Sequence, residues 1–222
     1  MYQAVIFDLD GTILDTIGDL TDNLNEALHL AGYNITYNDD EVKYFVGSGA
    51  DVQIRRAMKK IEHTEEDIQR LKKIFMTIYA KNNANKTQPY QGIIATLKKI
   101  KDAGIRLYCL TNKPHDIAQE VVSSYFGNDI FIEVLGQLPN RPVKPDPTLL
   151  NELIERHALN KLEVLFVGDS DIDIQVALNA NVDSAWVSWG FRKAVDVAHL
   201  RPDYYVSNMQ QLYEICALKP RC

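Results

Sequence analysis

The sequence predicts an α/β fold: a parallel sheet with helices on both faces, interrupted by an inserted helical domain. Three observations carry this. Short apolar runs rich in β-branched and aromatic residues recur along the chain, as expected of strands buried on both faces. Helix-patterned stretches lie between them, which is the alternation of a parallel α/β sheet. The first run ends at Leu9 and the next convincing one starts at Ile105, far more than the roughly 30 residues of a β-α-β unit. The excess is patterned almost throughout as helix.

In chain order, residues 4–9 (AVIFDL) read as a buried strand that stops at the turn Asp10-Gly11-Thr12. Residues 16–88 read as the inserted helical domain. Within it, Thr64-Glu65-Glu66-Asp67 caps an amphipathic helix with Ile68, Leu71, Ile74, Phe75 and Ile78 on one face. The polar segment 82–88 (NNANKTQ) before Pro89 has linker composition. Residues 1–15 and 89–222 are then the sheet domain. A helix is expected at Gly92–Ala103, a strand at Ile105–Leu110, a helix at Lys113–Tyr125 and a short strand at Ile130–Val134. Asp146-Pro147 reads as an N-cap with proline at the first helical position. Strands are expected at Val164–Val167, Ser184–Val187 and Tyr204–Val206. Ser207 to Gln210 fits a capping box for the last helix, and the tail Lys219–Cys222 is expected to fray.

Composition excludes several functions. The 222 residues carry a formal net charge of −6 with 46% hydrophobic and 24% charged residues. That is a globular composition without the basic face a nucleic-acid binder needs. No apolar stretch approaches the ~18 residues of a membrane span, and the N-terminus lacks the pattern of a signal peptide. Three cysteines without metal-like spacing, Cys109, Cys216 and Cys222, read as reduced thiols, so a cytoplasmic protein is expected. The expected partner is a small molecule, with no nucleic acid and no membrane, and the chain is a monomer or a homodimer.

Four clusters fall at or just past the ends of four strand-like runs, where α/β sheets place their ligand crevice. The first is Asp8-Leu9-Asp10-Gly11-Thr12. Period-two alternation starts Asp8 and Asp10 on one side, and two carboxylates leaving an apolar strand together need a cation or a shared proton. An oxygen-seeking ion such as Mg²⁺ answers that need. The second is Gly168-Asp169-Ser170-Asp171-Ile172-Asp173. Asp169 and Asp173 lie one helical turn apart and can complete such a site, while Asp171 points elsewhere as a helix-start acid. The third is Thr111-Asn112, a hydroxyl and turn amides able to donate to phosphate oxygens. The fourth is Lys144-Pro145, a cation held by its proline neighbour. Trp186 and Trp189 read as packing residues, and His115 as a helix-start residue.

The four clusters in this order, DLDGT at 8–12, TN at 111–112, KP at 144–145 and GDSDID at 168–173, resemble the haloacid dehalogenase-like hydrolase superfamily over most of the chain. The resemblance implies a Rossmann-like core with a mobile helical cap after the first motif. Val46-Gly47-Ser48-Gly49 with 54–57 (IRRA), and Pro89-Tyr90-Gln91-Gly92, are similar to the phosphoglycolate phosphatase group. The implied enzyme is a Mg²⁺-dependent phosphoric monoester hydrolase. Asp8 would be the nucleophile and Asp10 the acid and base. The Asp8 side chain, the Asp10 carbonyl, Asp169 and Asp173 would hold Mg²⁺. Thr111, Asn112 and Lys144 would hold the phosphoryl group. Gly47 and Ser48 would approach the substrate, and Arg55 would meet a substrate carboxylate. Gly190-Phe191-Arg192 resembles a family loop near the site. Three alternatives stand beside this reading: a β-phosphoglucomutase-like phosphomutase, a pyrophosphatase, and a non-catalytic binding protein on the same fold. Asp10 disfavours dehalogenation. Gly18-Asp19-Leu20, where mutase relatives carry a basic group, disfavours the mutase.

Overall fold

The computed structural model describes residues 1–217. Cys222 and the tail expected to fray lie outside the described residues.

The first strand, β1 (Ala4–Phe7), is wholly buried. It ends two residues before the sequence suggests, because the Leu9 carbonyl accepts the backbone N–H groups of Thr12, Ile13 and Leu14 and curls the chain into a turn. A short strand β2 (Leu14–Asp15) follows, then four helices: α1 (Ile17–Leu30), α2 (Asp39–Lys43), α3 (Ala50–Met58) and α4 (Glu65–Tyr79). The Thr64 capping box that opens α4 is formed as the sequence indicates. Strand β3 (Gln88–Pro89) then pairs antiparallel with β2. The helical insertion therefore leaves and re-enters the sheet layer through two adjacent connections. Asp19 ties α1 to the returning one: its carboxylate accepts the Lys86 and Thr87 N–H groups and the Thr87 hydroxyl.

The remaining elements alternate. They are α5 (Ile93–Asp102), β4 (Arg106–Pro114), α6 (His115–Phe126), β5 (Glu133–Gln137), α7 (Thr148–Arg156), β6 (Val164–Gly168), α8 (Asp171–Ala180), β7 (Asp183–Val187), α9 (Ala194–Val197), β8 (Tyr204–Val206) and α10 (Met209–Ala217). Six strands form one parallel sheet in the order β5-β4-β1-β6-β7-β8. The chain moves outward from β1 through β4 to β5, then returns to β6 on the other side of β1. The order reverses there, and such a switch point opens a crevice at the carboxyl ends of the strands. Register places Phe7 beside both Cys109 and Val167, so the residues just after β1, along the end of β4 and after β6 lie side by side.

Other boundaries also differ from the sequence reading. Strand β5 starts at Glu133, because Ile130 and Phe131 are buried in the loop before it. Helix α7 starts at Thr148, with Pro147 at the N-cap position and the Asp146 carboxylate accepting the Thr148 N–H, so the Asp-Pro pair sits one residue outside the expected place. The cap of α10 is Asn208, whose side chain accepts the Gln211 N–H; Gln211 in turn takes the Ser207 N–H. Strand β4 runs on to Pro114 and delays α6 to His115, which decides where Lys113 points.

Candidate active site

Three buried carboxylates, Asp8, Asp169 and Asp173, converge at the switch point, with one oxygen of each within 4.8 Å of the others. Asp8 is delivered by β1, and its N–H still bonds the Val167 carbonyl of β6 at 2.9 Å. Asp169 follows β6. Asp173 is in the first turn of α8, where its Oδ2 accepts the Ser170 N–H and hydroxyl in a capping box. Its Oδ1 accepts Lys144 Nζ at 2.7 Å, and the same ammonium donates to Asp8 Oδ1 at 2.7 Å. Lys144 is 4% exposed and its backbone is fixed by Asn112: the Lys144 N–H donates to Asn112 Oδ1 at 2.9 Å, and Asn112 Nδ2 donates to the Lys144 carbonyl at 2.9 Å.

The charges do not balance. Three carboxylates face one ammonium within this cluster, leaving two negative charges uncompensated in a buried site. Burial first, and the Asp173 charge second, push Asp8 up to about 7 despite Lys144 beside it. Burial, then Asp173 and Asp8, push Asp169 up to about 8. Lys144 moves the other way. Burial disfavours its ammonium, but Asp173 and Asp8 outweigh burial and hold it above the ordinary lysine range. A hard divalent cation is the group that such an all-oxygen donor set fits, and it carries the two missing charges.

Asp169 is fixed on every side. Its Oδ2 accepts the Phe191 N–H at 2.7 Å, its Oδ1 accepts the Thr12 hydroxyl at 3.2 Å and its carbonyl accepts the Trp186 indole N–H at 2.7 Å. A Cβ on Gly11 would stand 2.6 Å from Asp169 Oδ2, and one on Gly190 would stand 2.2 Å from Asp169 Cβ. Gly11 also has a φ of 87°, so glycine is required there twice over. The Trp189 indole donates to the Thr12 carbonyl at 3.0 Å. Both tryptophans, expected only to pack, therefore also brace the loops that carry the carboxylates. The 190–192 loop has a place as well: Phe191 holds Asp169, and Arg192 donates to the Lys43 and Val46 carbonyls of the helical insertion.

Above the carboxylates a small pocket is lined by Asp8, Asp10, Gly47, Gln53, Tyr79 and Lys113, among others. Asp8 and Asp10 both face it, from the turn after β1 rather than from the strand itself. Thr111 and Asn112 line it too, although both Asn112 Nδ2 protons are used, on the Gly47 and Lys144 carbonyls. Asp10 accepts Lys113 Nζ at 2.9 Å, and Lys113 also donates to the Tyr79 hydroxyl at the end of α4. Lys113 was not singled out from the sequence, where it reads as the start of a helix. Past Leu110 the pairing of β4 becomes irregular, and Thr111, Asn112, Lys113 and Pro114 all line the pocket from this strand end. Gln53 has a readable signal: it is a polar residue on the buried stripe Gln53, Ile54, Ala57 and Met58 of α3. Tyr79 has none, because its role depends on where the end of α4 lands.

Two residues expected at the pocket are elsewhere. Arg55 projects from the solvent side of α3 and is bound by Asp51 at 2.8 Å and by Glu65 at 2.6 Å, so it does not face the pocket. Ser48 accepts Arg56 Nη2 at 3.2 Å and braces the 46–49 turn from behind, while Gly47 reaches the pocket wall. Asp171 stays outside, 3.6 Å from Arg192. His115 opens α6 and its Nδ1 accepts the Gly136 N–H.

The profile of the haloacid dehalogenase-like hydrolase family matches residues 5–187. A phosphoglycolate phosphatase of Psychrobacter arcticus is 36% identical over 208 residues, covering 90% of this chain and 89% of that protein. A phosphoglycolate phosphatase of Vibrio parahaemolyticus is 31% identical over 221 residues, covering 97% and 96%. A crystal structure from Lactobacillus delbrueckii subsp. bulgaricus superposes with a TM-score of 0.91 at 31% identity, covering 97% of this chain and 98% of that one. The crystal structure of a predicted phosphoglycolate phosphatase from Haemophilus somnus gives 0.88 at 29% identity, covering 96% and 97%.

Proposed function

This chain belongs to the haloacid dehalogenase-like hydrolase family, and from that premise we propose that it is a Mg²⁺-dependent phosphatase of small phosphate monoesters, with 2-phosphoglycolate as its substrate. The coarser part, a phosphoric monoester hydrolase of this family, rests on relatives named phosphoglycolate phosphatase at 31–36% identity across nearly the whole chain. The observation that supports attack by a carboxylate is the seating of Asp8: a buried carboxylate 2.7 Å from Lys144, at the floor of a pocket whose wall also presents Asp10.

In the proposed reaction the Asp8 carboxylate attacks phosphorus, the bond to the ester oxygen breaks, and Asp10 gives its proton to the departing alkoxide. The product of this half is an aspartyl-phosphate and a free alcohol. Asp10, now a carboxylate, takes a proton from water as that water attacks phosphorus, releasing phosphate and restoring Asp8. Lys144 stays charged throughout and faces the developing negative charge. Asp8, Asp169, Asp173 and the Asp10 carbonyl would hold the Mg²⁺, which when bound supplies charge neutralisation at the phosphoryl oxygens. Thr111 and the turn amides beside it are the proposed phosphoryl donors. Asn112 acts through its side chain by fixing Lys144 and Gly47.

Residues 16–88 are the proposed cap, closing over the core formed by 1–15 and 89–222. Closure would complete the pocket around the substrate and keep bulk solvent out, leaving the one water that Asp10 activates. The mutase reading is not favoured: the stretch Gly18-Asp19-Leu20 carries no basic group, and the Asp19 carboxylate is committed to the Lys86 and Thr87 N–H groups. Among the described residues, no helix is long and apolar enough to cross a membrane. Phosphate release from 2-phosphoglycolate and from p-nitrophenyl phosphate with Mg²⁺, against an Asp8→Asn control, tests the proposal. Activity of the control equal to the wild type would end it.

A further inference from the structure

The wall of the pocket contains an unpaired polar atom. Gln53 is 4% exposed, lines the pocket, and its Nε2 has no hydrogen-bond partner. A buried donor left unmade is costly, so such an atom in a pocket wall calls for an acceptor from a ligand. The neighbours of Gln53 on the buried stripe of α3, Ile54, Ala57 and Met58, are apolar, so packing alone does not require an amide there.

A second donor faces the same space. Lys113 lines the pocket and is the only lysine or arginine among its lining residues. An ammonium has three N–H donors, and two are committed, to Asp10 and to the Tyr79 hydroxyl. One is left for a ligand. Arg55, the sequence-level candidate for this duty, is bound on the outer face. The space is small, about 50 Å³, well under the roughly 300–1,000 Å³ of sites for drug-sized ligands. It suits a leaving group of a few heavy atoms.

We propose that Gln53 Nε2 and Lys113 Nζ are the specificity contacts for the leaving group, together recognising a carboxylate carried one carbon from the ester oxygen. This rests on the phosphatase reading above and deepens it. A carboxylate is the small group that accepts from both donors, whereas an alkyl leaving group accepts from neither and leaves the Gln53 amide buried and unpaired.

The test is discrimination between two substrates of similar size, 2-phosphoglycolate and ethyl phosphate, measured as the ratio of their kcat/KM values. Wild type is expected to prefer the acid. Gln53→Leu is expected to cut that ratio about tenfold or more, mainly by raising KM for the acid. Gln53→Glu, with a carboxylate at the same place, is expected to cut it further and to raise the relative rate on phosphoethanolamine, whose leaving group is a cation. Melting curves of both variants establish that they fold. The inference is overturned if both folded variants keep the wild-type ratio, or if wild type hydrolyses ethyl phosphate as well as the acid. In either case activity on p-nitrophenyl phosphate, lost in Asp8→Asn, leaves the phosphatase reading standing. Absence of phosphate release from every ester would overturn both.

Discussion

The floor and the roof of the pocket are built on opposite plans. The floor is made of Asp8, Asp169, Asp173 and Lys144, each delivered by the sheet layer and each bound by atoms of the sheet layer. The roof joins two parts of the chain: Tyr79 and Gln53 come from the helical insertion, Lys113 from β4, and Asn112 reaches across to the Gly47 carbonyl. The floor is over-determined, with glycines at 11 and 190 leaving no room for Asp169 to move. The roof hangs on a few polar contacts. Chemistry that must be the same for every ester belongs on the rigid part, and recognition of the leaving group belongs where the two parts meet.

That contrast predicts the sizes of mutational effects. Asp8→Asn is the largest: it removes the proposed nucleophile, and kcat is expected to fall by roughly 10⁴-fold or more, as when a covalent nucleophile is deleted elsewhere. A variant with measurable burst release of the alcohol would show that another group accepts the phosphoryl.

Lys144→Ala comes next and strikes both stability and rate. It leaves Asp8 and Asp173 buried without their cation, and breaking a buried pair from one side costs about 3–5 kcal/mol. Turnover is expected to fall by orders of magnitude, with the melting temperature falling alongside it. Unchanged kinetics would remove Lys144 from the floor.

Metal binding gives the third test. At a Mg²⁺ concentration about 100 times its dissociation constant the native state gains about 2.7 kcal/mol. For a chain of this size that is a rise of roughly 5–10 °C in melting temperature. Asp169→Asn is expected to lose most of that rise, and an undiminished shift would place the ion elsewhere. The metal-free protein has a further signature. Asp8 and Asp169 are pushed up to about 7 and about 8, so the folded state binds more protons than the unfolded one above the ordinary carboxylate range. Its stability is therefore expected to fall as pH rises from about 4 toward about 8. Mg²⁺ is expected to flatten that slope.

The same contrast explains what the sequence made legible. Asp8 and Asp169 directly follow β1 and β6 and Asp173 sits in the first turn of α8, so those three are readable from a short apolar run and the acidic residues beyond it, whereas Lys144 sits in the loop between β5 and α7. Asp8, Asp169 and Asp173 are named by their pattern and Lys144 by the family resemblance alone, and the structure brings all of them together. The roof depends on tertiary placement. Arg55 has the residue type of an anion contact, but one position along a helix turns a side chain about 100° and puts it in solvent beside Asp51 and Glu65. Gln53, two positions earlier, carries a weaker chemical signal and faces inward. Lys113 was hidden by a boundary: a strand that runs four residues past Leu110 carries it to the pocket, where a helix start would have turned it away.

Tyr79→Phe is the smallest change and tests the roof most directly. Phenylalanine keeps the ring stacked on Phe75 at 5.4 Å and keeps an aromatic face 4.9 Å from Lys113 Nζ, so only the oxygen is lost. Lys113 retains its ion pair with Asp10 at 2.9 Å. Stability is expected to drop by about 0.5–1.5 kcal/mol, the worth of one hydrogen bond. The rate on 2-phosphoglycolate is expected to drop several-fold, because a less anchored Lys113 holds Asp10 and the leaving group less well. A loss as large as that of Asp8→Asn would break the comparison, since it would mean that the Tyr79 hydroxyl acts on the reacting atoms and that the roof shares the chemistry assigned to the floor.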